Sequence, residues 1–200
     1  KTPLTLEAYM AARPIADPIH LYDCVMPVAG AEAFLLMTGA TMRRHGLTGA
    51  KLLSAIERHN AFADDPVQYR GGWALDIDEF YATAGLGPAD VDVVQTYDDY
   101  PVIVMMQLED LGFCAKGEAP AFVARHDLTI GGDFPHNTTG GQLSAGQAGA
   151  AGGPRAELGL SQRRGKHETP GRRKTRGVPE FAYPTVMKNP TTRATSRVAA

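Results

Sequence analysis

Two stretches decide the fold of this chain: VVQTYDDYPVIVMMQLEDLGFCAKGE at residues 93–118 and GGDFPHNTTGGQLSAGQAGAAGG at residues 131–153. The first holds a β-branched run, a polar cluster of two tyrosines and two aspartates, and an apolar segment of helix length. The second holds an Asn-Thr-Thr-Gly-Gly turn and a segment rich in Ala, Ser and Gly. We therefore expect a strand, a polar loop, a helix, a turn and a small-residue helix, in that order.

Glycines and a proline mark the predicted ends of the helices around the polar cluster. Asp76–Ala84 is predicted as a helix because its pattern is helical and glycines follow it. Val91–Thr96 is predicted as a strand. Val102–Leu111 is predicted as the next helix, with Pro101 suited to its first turn and Gly112 to its end.

Three further elements are predicted outside this region. Thr5–Ala12 is expected to form a short helix with Thr5 as its N-cap. Ala31–Thr38 is apolar and of strand length, which favours a strand buried on both faces, with a buried helix as the alternative. Leu143–Gly153 is a poor helix on propensity alone, so we expect it to pack closely against other backbone.

Charge divides the chain into two parts. Residues 1–150 hold nine Lys and Arg against nineteen Asp and Glu, a net charge of −10, and residues 151–200 hold eleven against three, a net charge of +8. A folded domain is therefore predicted at residues 1–153 and a basic, disordered tail at residues 154–200. A shifted reading frame is the alternative explanation of the tail. The tail lacks interleaved aromatic residues, so nucleic-acid binding is not predicted.

Composition narrows the class of protein. A hydrophobic fraction of 44% over 200 residues suits one globular domain with a sizeable core. No apolar stretch reaches the ~18 residues that a membrane span needs. Cys24 and Cys114 form no CxxC or zinc spacing, so we expect no metal site and a reducing cytoplasm. The chain begins at Lys1 without Met, which makes a fragment of a longer protein one interpretation.

Four segments together resemble a thiolase: ARPIADPIHLYDCVMPVAGAEAFLLM (12–37), TYDDYP (96–101), LEDLGFCAKGE (108–118) and GGDFPHNTTGGQLSAG (131–146). The resemblance covers residues 4–153 and is to the C-terminal portion of the superfamily, in its lipid-transfer or sterol-carrier-linked branch. It implies an α/β fold, with a mixed sheet and helices on both faces, truncated on its N-terminal side. The nucleophilic cysteine would lie in the missing part, so Cys24 and Cys114 are expected to be core residues.

Two positions depart from the thiolase pattern. Tyr97 stands where thiolases carry the Asn or His that helps to bind the thioester oxygen, and Gln147 stands where they carry the His that deprotonates the cysteine. An amide accepts no proton near neutral pH, so Gln147 cannot be a base. The resemblance therefore points to aldolase-like members, which cleave β-hydroxyacyl-CoA by a retro-aldol reaction. Acyl transfer is the other reaction implied, and both belong to lipid or steroid side-chain metabolism.

The resemblance also implies which residues carry the reaction. Tyr97 or Tyr100 would be the base for the β-hydroxyl, provided that positive or dipolar surroundings lower the pKa of the phenol, and Asp98 is the third catalytic candidate. The predicted substrate-binding residues are Asn137, Gly140, Gly141 and Gln147. Backbone N–H groups at the two glycines would donate to the developing enolate oxygen. His136 precedes this loop, but a histidine without ligand spacing is more often a core or surface residue than a catalytic one.

Coenzyme A thioester is the implied substrate, with no covalently bound cofactor. The implied partners are a second copy of the chain and a small OB-fold subunit. Two alternatives stay open at this point. The chain could be a non-catalytic lipid- or CoA-binding subunit, and Asp98 or Asp99 could simply cap the start of the helix that follows them.

Overall fold

A computed structural model describes residues 3–30, 35–147 and 185–188 of the chain. The described residues form six α-helices: α1 Leu6–Met10, α2 Gly39–Arg44, α3 Ile77–Ala84, α4 Pro101–Asp110, α5 Ala119–Arg125 and α6 Gly141–Ala145. They also form four strands: β1 Pro14–Ala16, β2 Ile19–His20, β3 Lys51–Ala55 and β4 Thr185–Lys188. Short 3₁₀ helices lie at Leu21–Asp23, Gly72–Leu75 and Pro88–Asp90.

The strands of the described residues pair in two short antiparallel ladders, β1 with β2 and β3 with β4. Two isolated parallel bridges join Pro27 to Gln147 and Val94 to His136. This mixture of helices and strands fits the predicted α/β class. The mixed sheet with helices on both faces and the N-terminal truncation remain predictions.

Strand β4 lies within the segment predicted to be a disordered tail. It pairs with β3 from Lys51↔Lys188 to Ala55↔Thr185. These four residues are an exception to the expectation for the tail. The small-residue segment after Gln147 and the rest of the predicted tail lie outside the described residues, so the division at residue 153 stays a prediction.

The glycine-terminated helices are confirmed. At the end of α3, Gly85 adopts φ +67°, and the N–H groups of Gly85 and Leu86 donate to the carbonyls of Ala82 and Tyr81. The end of α4 repeats this Schellman arrangement at Gly112. A glycine just after a helical segment can adopt the left-handed conformation that ends a helix. Gly85 and Gly112 therefore predict where α3 and α4 end.

Helix α1 has the predicted cap, whereas helix α6 has different bounds from those predicted. Thr5 caps α1 by accepting from the Ala8 N–H at 3.1 Å, as expected. The predicted Leu143–Gly153 helix begins earlier, at Gly141, and ends at Ala145 because Gly146 leaves the helical conformation at φ +86°.

Two strand predictions are wrong in the described residues. Residues 35–38 form no strand, and Leu35 and Leu36 are 70% and 69% exposed, because no described strand pairs with them to bury their faces. Residues 91–96 form one bridge, at Val94, instead of a strand. Their β-branched side chains do favour an extended backbone, but the groups that pair with it belong mainly to loops and side chains.

Helix α4 carries the main core of the site region. Leu108 is fully buried and packs with Val94 and Phe122 in one cluster. Phe134 joins the cluster through edge-to-face contacts with Phe113 and Phe122, with ring centroids 5.0 Å and 4.9 Å apart. This cluster joins α4 and α5 to the residues just before the polar loop at one end and the Asn-Thr-Thr-Gly-Gly turn at the other.

The two cysteines are half-buried and unpaired. Cys114 packs against the α4 cluster, which agrees with the core role expected for it, whereas Cys24 belongs to neither core cluster of the described residues. In the described part of the chain no helix is long and apolar enough to cross a membrane. There, too, no group of three His, Cys, Asp or Glu side chains could hold a metal ion.

Helix α3 is tied to the end of α4 by one buried hydrogen bond, which gives a test of the packing. The Tyr81 hydroxyl donates to the Leu111 carbonyl at 2.9 Å, and burial raises the pKa of Tyr81 to about 12. We predict that Tyr81→Phe lowers the free energy of unfolding by about 1–3 kcal/mol, because it leaves a buried acceptor unpaired. Urea denaturation measures this loss. The same change at the exposed Tyr22 is the control, and equal effects at both positions would contradict the assignment.

Candidate active site

The polar loop and the Asn-Thr-Thr-Gly-Gly turn meet at Thr96 and Asn137. The Asn137 side chain accepts from the Thr96 N–H at 2.9 Å through Oδ1 and donates to the Thr96 carbonyl at 3.2 Å through Nδ2. The Asn137 N–H donates to the Val94 carbonyl at 3.0 Å, which extends the same contact. The two loops that the resemblance assigned to one site are therefore adjacent, as predicted.

The backbone of the next residue, Tyr97, is held in the same way by a side chain of helix α4. Gln107 of α4 accepts from the Tyr97 N–H at 3.0 Å and donates to the Tyr97 carbonyl at 2.6 Å. The same Nε2 donates to the Ile103 carbonyl at 3.0 Å. Sequence reasoning missed Gln107; the available signal was a polar residue on the buried face of an apolar helix, next to Leu108.

The Tyr97 hydroxyl accepts a hydrogen bond from Gln147 Nε2 at 3.1 Å, so the two positions that depart from the thiolase pattern contact each other. The pKa of Tyr97 is raised, mainly by burial and further by the nearby Asp99 and Asp98, whereas the Gln147 hydrogen bond acts to lower it. The condition set for Tyr97 as a base, surroundings that lower its pKa, is therefore not met. The partners that raise it are acidic, and the one dipole that opposes them is a neutral amide.

Gln147 is positioned by a segment near the start of the chain. Its N–H donates to the Met26 carbonyl at 2.8 Å, and its carbonyl accepts from the Val28 N–H at 2.9 Å. A Cβ on Gly146 would clash with Val28, so the approach requires a glycine there. The segment at residues 26–28, which lies about 70 positions before the polar loop, therefore helps to form the site.

Asp98 is a cap, but not of the helix that the sequence suggested. It is 5% exposed, and it accepts from the N–H groups of Gln142 at 2.7 Å and Leu143 at 3.3 Å, in the first turn of α6. Helix α4, by contrast, has Tyr100 at its N-cap position and no side-chain cap. Burial raises the pKa of Asp98, and these backbone N–H donors oppose the rise. Both carboxylate oxygens are occupied, so this arrangement favours a structural role over the predicted catalytic one.

The predicted N–H donors at the two glycines differ in availability. The Gly140 N–H already donates to the Asn137 carbonyl at 2.7 Å. Gly141 is the first residue of α6, where an N–H group has no acceptor within its own helix. The Gly141 N–H therefore remains the candidate donor to an enolate oxygen, whereas the Gly140 N–H is used to shape the turn.

Other polar groups lie close to this loop. His136 Nε2 is 2.8 Å from the Thr96 hydroxyl, and burial lowers the pKa of His136 to about 4, so the imidazole is neutral at physiological pH. Thr138, Thr139 and Gln142 each present a buried side-chain oxygen without a hydrogen-bond partner among the described residues. Tyr100 is 37% exposed and makes no side-chain hydrogen bond to the other described site residues.

The contact between Asp98 and α6 can be tested at Gly141. This residue adopts φ +61°, and a Cβ there would overlap the Asp98 carboxylate, whereas Gly46 has φ +62° with nothing within 4 Å. Alanine at either position bears the backbone cost of a left-handed conformation, roughly 1–2 kcal/mol. We predict that Gly141→Ala costs about 1–3 kcal/mol more than Gly46→Ala, because only the first is overpacked. Urea denaturation of both variants measures the difference, and equal losses would show that α6 does not need this approach.

Comparison with known proteins places the chain in one family. The family described as "Thiolase C-terminal domain-like" matches residues 63–167, which include α3 to α6 and extend past residue 153. The "Steroid side-chain-cleaving aldolase" of Thermomonospora curvata is 36% identical over 150 residues, covering 70% of this chain and 38% of that protein. The "17-hydroxy-3-oxo-4-pregnene-20-carboxyl-CoA lyase" of Mycobacterium tuberculosis is 34% identical over 153 residues, with the same two coverages.

A solved structure, the "Ltp2-ChsH2(DUF35) aldolase", matches with a TM-score of 0.57 and 32% identity, over 70% of this chain and 39% of that one. The chain thus spans less than two fifths of the length of these relatives. The family match covers more than half of the chain and contains every predicted site residue. The chain belongs to the thiolase superfamily, in its lipid-transfer-protein branch with aldolase-like members.

Proposed function

We propose that the complete protein containing this chain cleaves the Cα–Cβ bond of a β-hydroxyacyl-CoA by a retro-aldol reaction, in the metabolism of steroid side chains. The contact between Tyr97 and Gln147 carries the proposal. By the resemblance, a phenol stands where thiolases carry a different group and an amide stands where they carry a base, and the contact supports a shared site for the two. The names of the two relatives, an aldolase and an acyl-CoA lyase, support the same reaction class.

The reaction requires one base and one set of donors. The base takes the proton of the β-hydroxyl, the oxygen electrons form a carbonyl at Cβ, and the Cα–Cβ bond breaks. Its electron pair becomes the enolate of the thioester, which N–H donors stabilise until a proton is returned to Cα. The products are a carbonyl compound and a shortened acyl-CoA. In this proposal Tyr97 exchanges the proton, the Gly141 N–H donates to the enolate oxygen, and Asn137 shapes the turn that holds that group.

The raised pKa of Tyr97 bears on how it performs this role. The neutral phenol is the dominant form at neutral pH, and only a small fraction is the phenolate that accepts a proton. Below the pKa, which itself lies above the ordinary value of about 10, that fraction grows about tenfold with each unit of rising pH. The neutral form can donate a proton to the enolate carbon, so one residue can serve both proton transfers.

We predict that Tyr97→Phe in the complete protein abolishes cleavage of β-hydroxyacyl-CoA while leaving the fold intact, because only the hydroxyl is removed. In the unaltered protein kcat/KM should rise with pH through the neutral range and show no plateau until above about pH 10, since the pKa of the base is raised. Release of the carbonyl product, followed by chromatography, measures both effects.

Tyr22→Phe, at an exposed tyrosine, is the matched control and should leave turnover unchanged. Full turnover by the Tyr97→Phe protein would remove Tyr97 as the base. No cleavage by the unaltered complete protein, combined with binding of acyl-CoA, would favour the alternative of a non-catalytic lipid- or CoA-binding subunit. Thiolysis in place of cleavage would indicate acyl transfer.

We also propose that a second copy of the chain and a small OB-fold subunit cover apolar surface of this protein. Large apolar side chains are exposed in the described N-terminal region, among them Leu6, Met10, Leu35 and Leu36, each more than 60% exposed. The similar solved structure carries two components in its name, Ltp2 and ChsH2(DUF35), which supports the second partner.

Light scattering should show an oligomer, and a stable monomer at high concentration would contradict this.

A further inference from the structure

We infer that Gln107 is a positioning residue for Tyr97, acting through the backbone of the tyrosine rather than on substrate. The chemical consequence rests on the proposed function, in which Tyr97 exchanges the proton. The geometric basis does not rest on it, because the hydrogen bonds between Gln107 and Tyr97 belong to the folded chain.

The carboxamide of Gln107 pairs with the backbone N–H and carbonyl of Tyr97, as a neighbouring strand would in a sheet. Its oxygen accepts from the N–H at 3.0 Å, and its nitrogen donates to the carbonyl at 2.6 Å. The peptide groups on both sides of the Tyr97 Cα are therefore fixed, which restricts the backbone torsions that aim the phenol. The hydroxyl at the other end is fixed by Gln147 at 3.1 Å. The ring is thus constrained from both ends.

Only a glutamine meets these requirements at this position. Gln107 is 8% exposed, and its nitrogen also donates to the Ile103 carbonyl one turn earlier in α4, which fixes the side chain against its own helix. A glutamate has the same shape but, when ionised, sets an oxygen against two carbonyl oxygens. A methionine has similar length and no donor. An asparagine is one methylene too short to reach the same atoms.

Gln107→Glu in the complete protein is the first test. We expect kcat for β-hydroxyacyl-CoA cleavage at neutral pH to fall on the order of 10²-fold, the effect of displacing a reacting group by about 1 Å, with KM little changed. Burial raises the pKa of the introduced carboxyl, and protonation restores one donor. The ratio of the variant kcat to the unaltered kcat should therefore rise as the pH is lowered from about 8 towards about 5, which a general loss of stability would not produce.

Gln68→Glu is the matched control, because this glutamine is exposed and donates only to the Arg70 carbonyl at 3.3 Å among the described residues. It should leave kcat unchanged at every pH. A second variant, Gln107→Met, removes the donor without adding charge and should lower kcat without the pH-dependent recovery. Unchanged kcat in both Gln107 variants, or a ratio that does not vary with pH, would overturn the inference. Failure of both variants to fold would also overturn it, since Gln107 would then be a structural residue.

A readout that does not depend on turnover separates this inference from the proposed function. In protein labelled with 3-fluorotyrosine, the ¹⁹F resonance of residue 97 is identified by its loss in Tyr97→Phe. It should shift in Gln107→Glu and not in Gln68→Glu. A shift without any cleavage by the unaltered protein would uphold the positioning and refute the proposed reaction. Cleavage that depends on Tyr97, with an unshifted resonance and full kcat in Gln107→Glu, would refute the positioning alone.

Discussion

The candidate site depends on two side-chain carboxamides that satisfy the backbone of two consecutive residues. Asn137 pairs with the N–H and carbonyl of Thr96, and Gln107 pairs with those of Tyr97. A buried extended backbone needs such partners, which neighbouring strands ordinarily provide. Here a turn provides one and a helix provides the other. This arrangement lets the chain run extended and buried into the polar loop while leaving the Tyr97 side chain to face Gln147.

The two aspartates of the polar loop have different effects on Tyr97 although they are adjacent in sequence. Asp98 has its oxygens on the first turn of α6, and it contributes least among the groups that shift the pKa of Tyr97. Asp99 raises the pKa of Tyr97 more than Asp98 does. The helix N–H groups thus bind one negative charge within the candidate site. The second charge favours the neutral form of the phenol.

The sequence predicts the ends of the helices better than it predicts the contacts of the candidate site. The ends of α3 and α4 follow from Gly85 and Gly112, because a glycine after an apolar helix is a local signal. The 91–96 strand was wrong because local preference identifies an extended backbone but not its partner, and Asn137 lies 41 residues from Thr96. The adjacency of the loops came from the resemblance to a family. The direction of the Tyr97 pKa shift could not follow from either, since it depends mainly on how far the folded chain buries the phenol.

Helix α6 acts as a spacer of fixed length between the two halves of the site. Its first turn is held by Asp98 through Gln142, and five residues later Gln147 meets both Tyr97 and the backbone of residues 26–28. One inserted residue in a helix rotates everything after it by about 100° and advances it by about 1.5 Å. Gln147 would then leave the phenol even if every side chain were retained. Insertions and deletions in this segment are therefore more damaging than most substitutions, and the count of residues there is as much a part of the site as their identity.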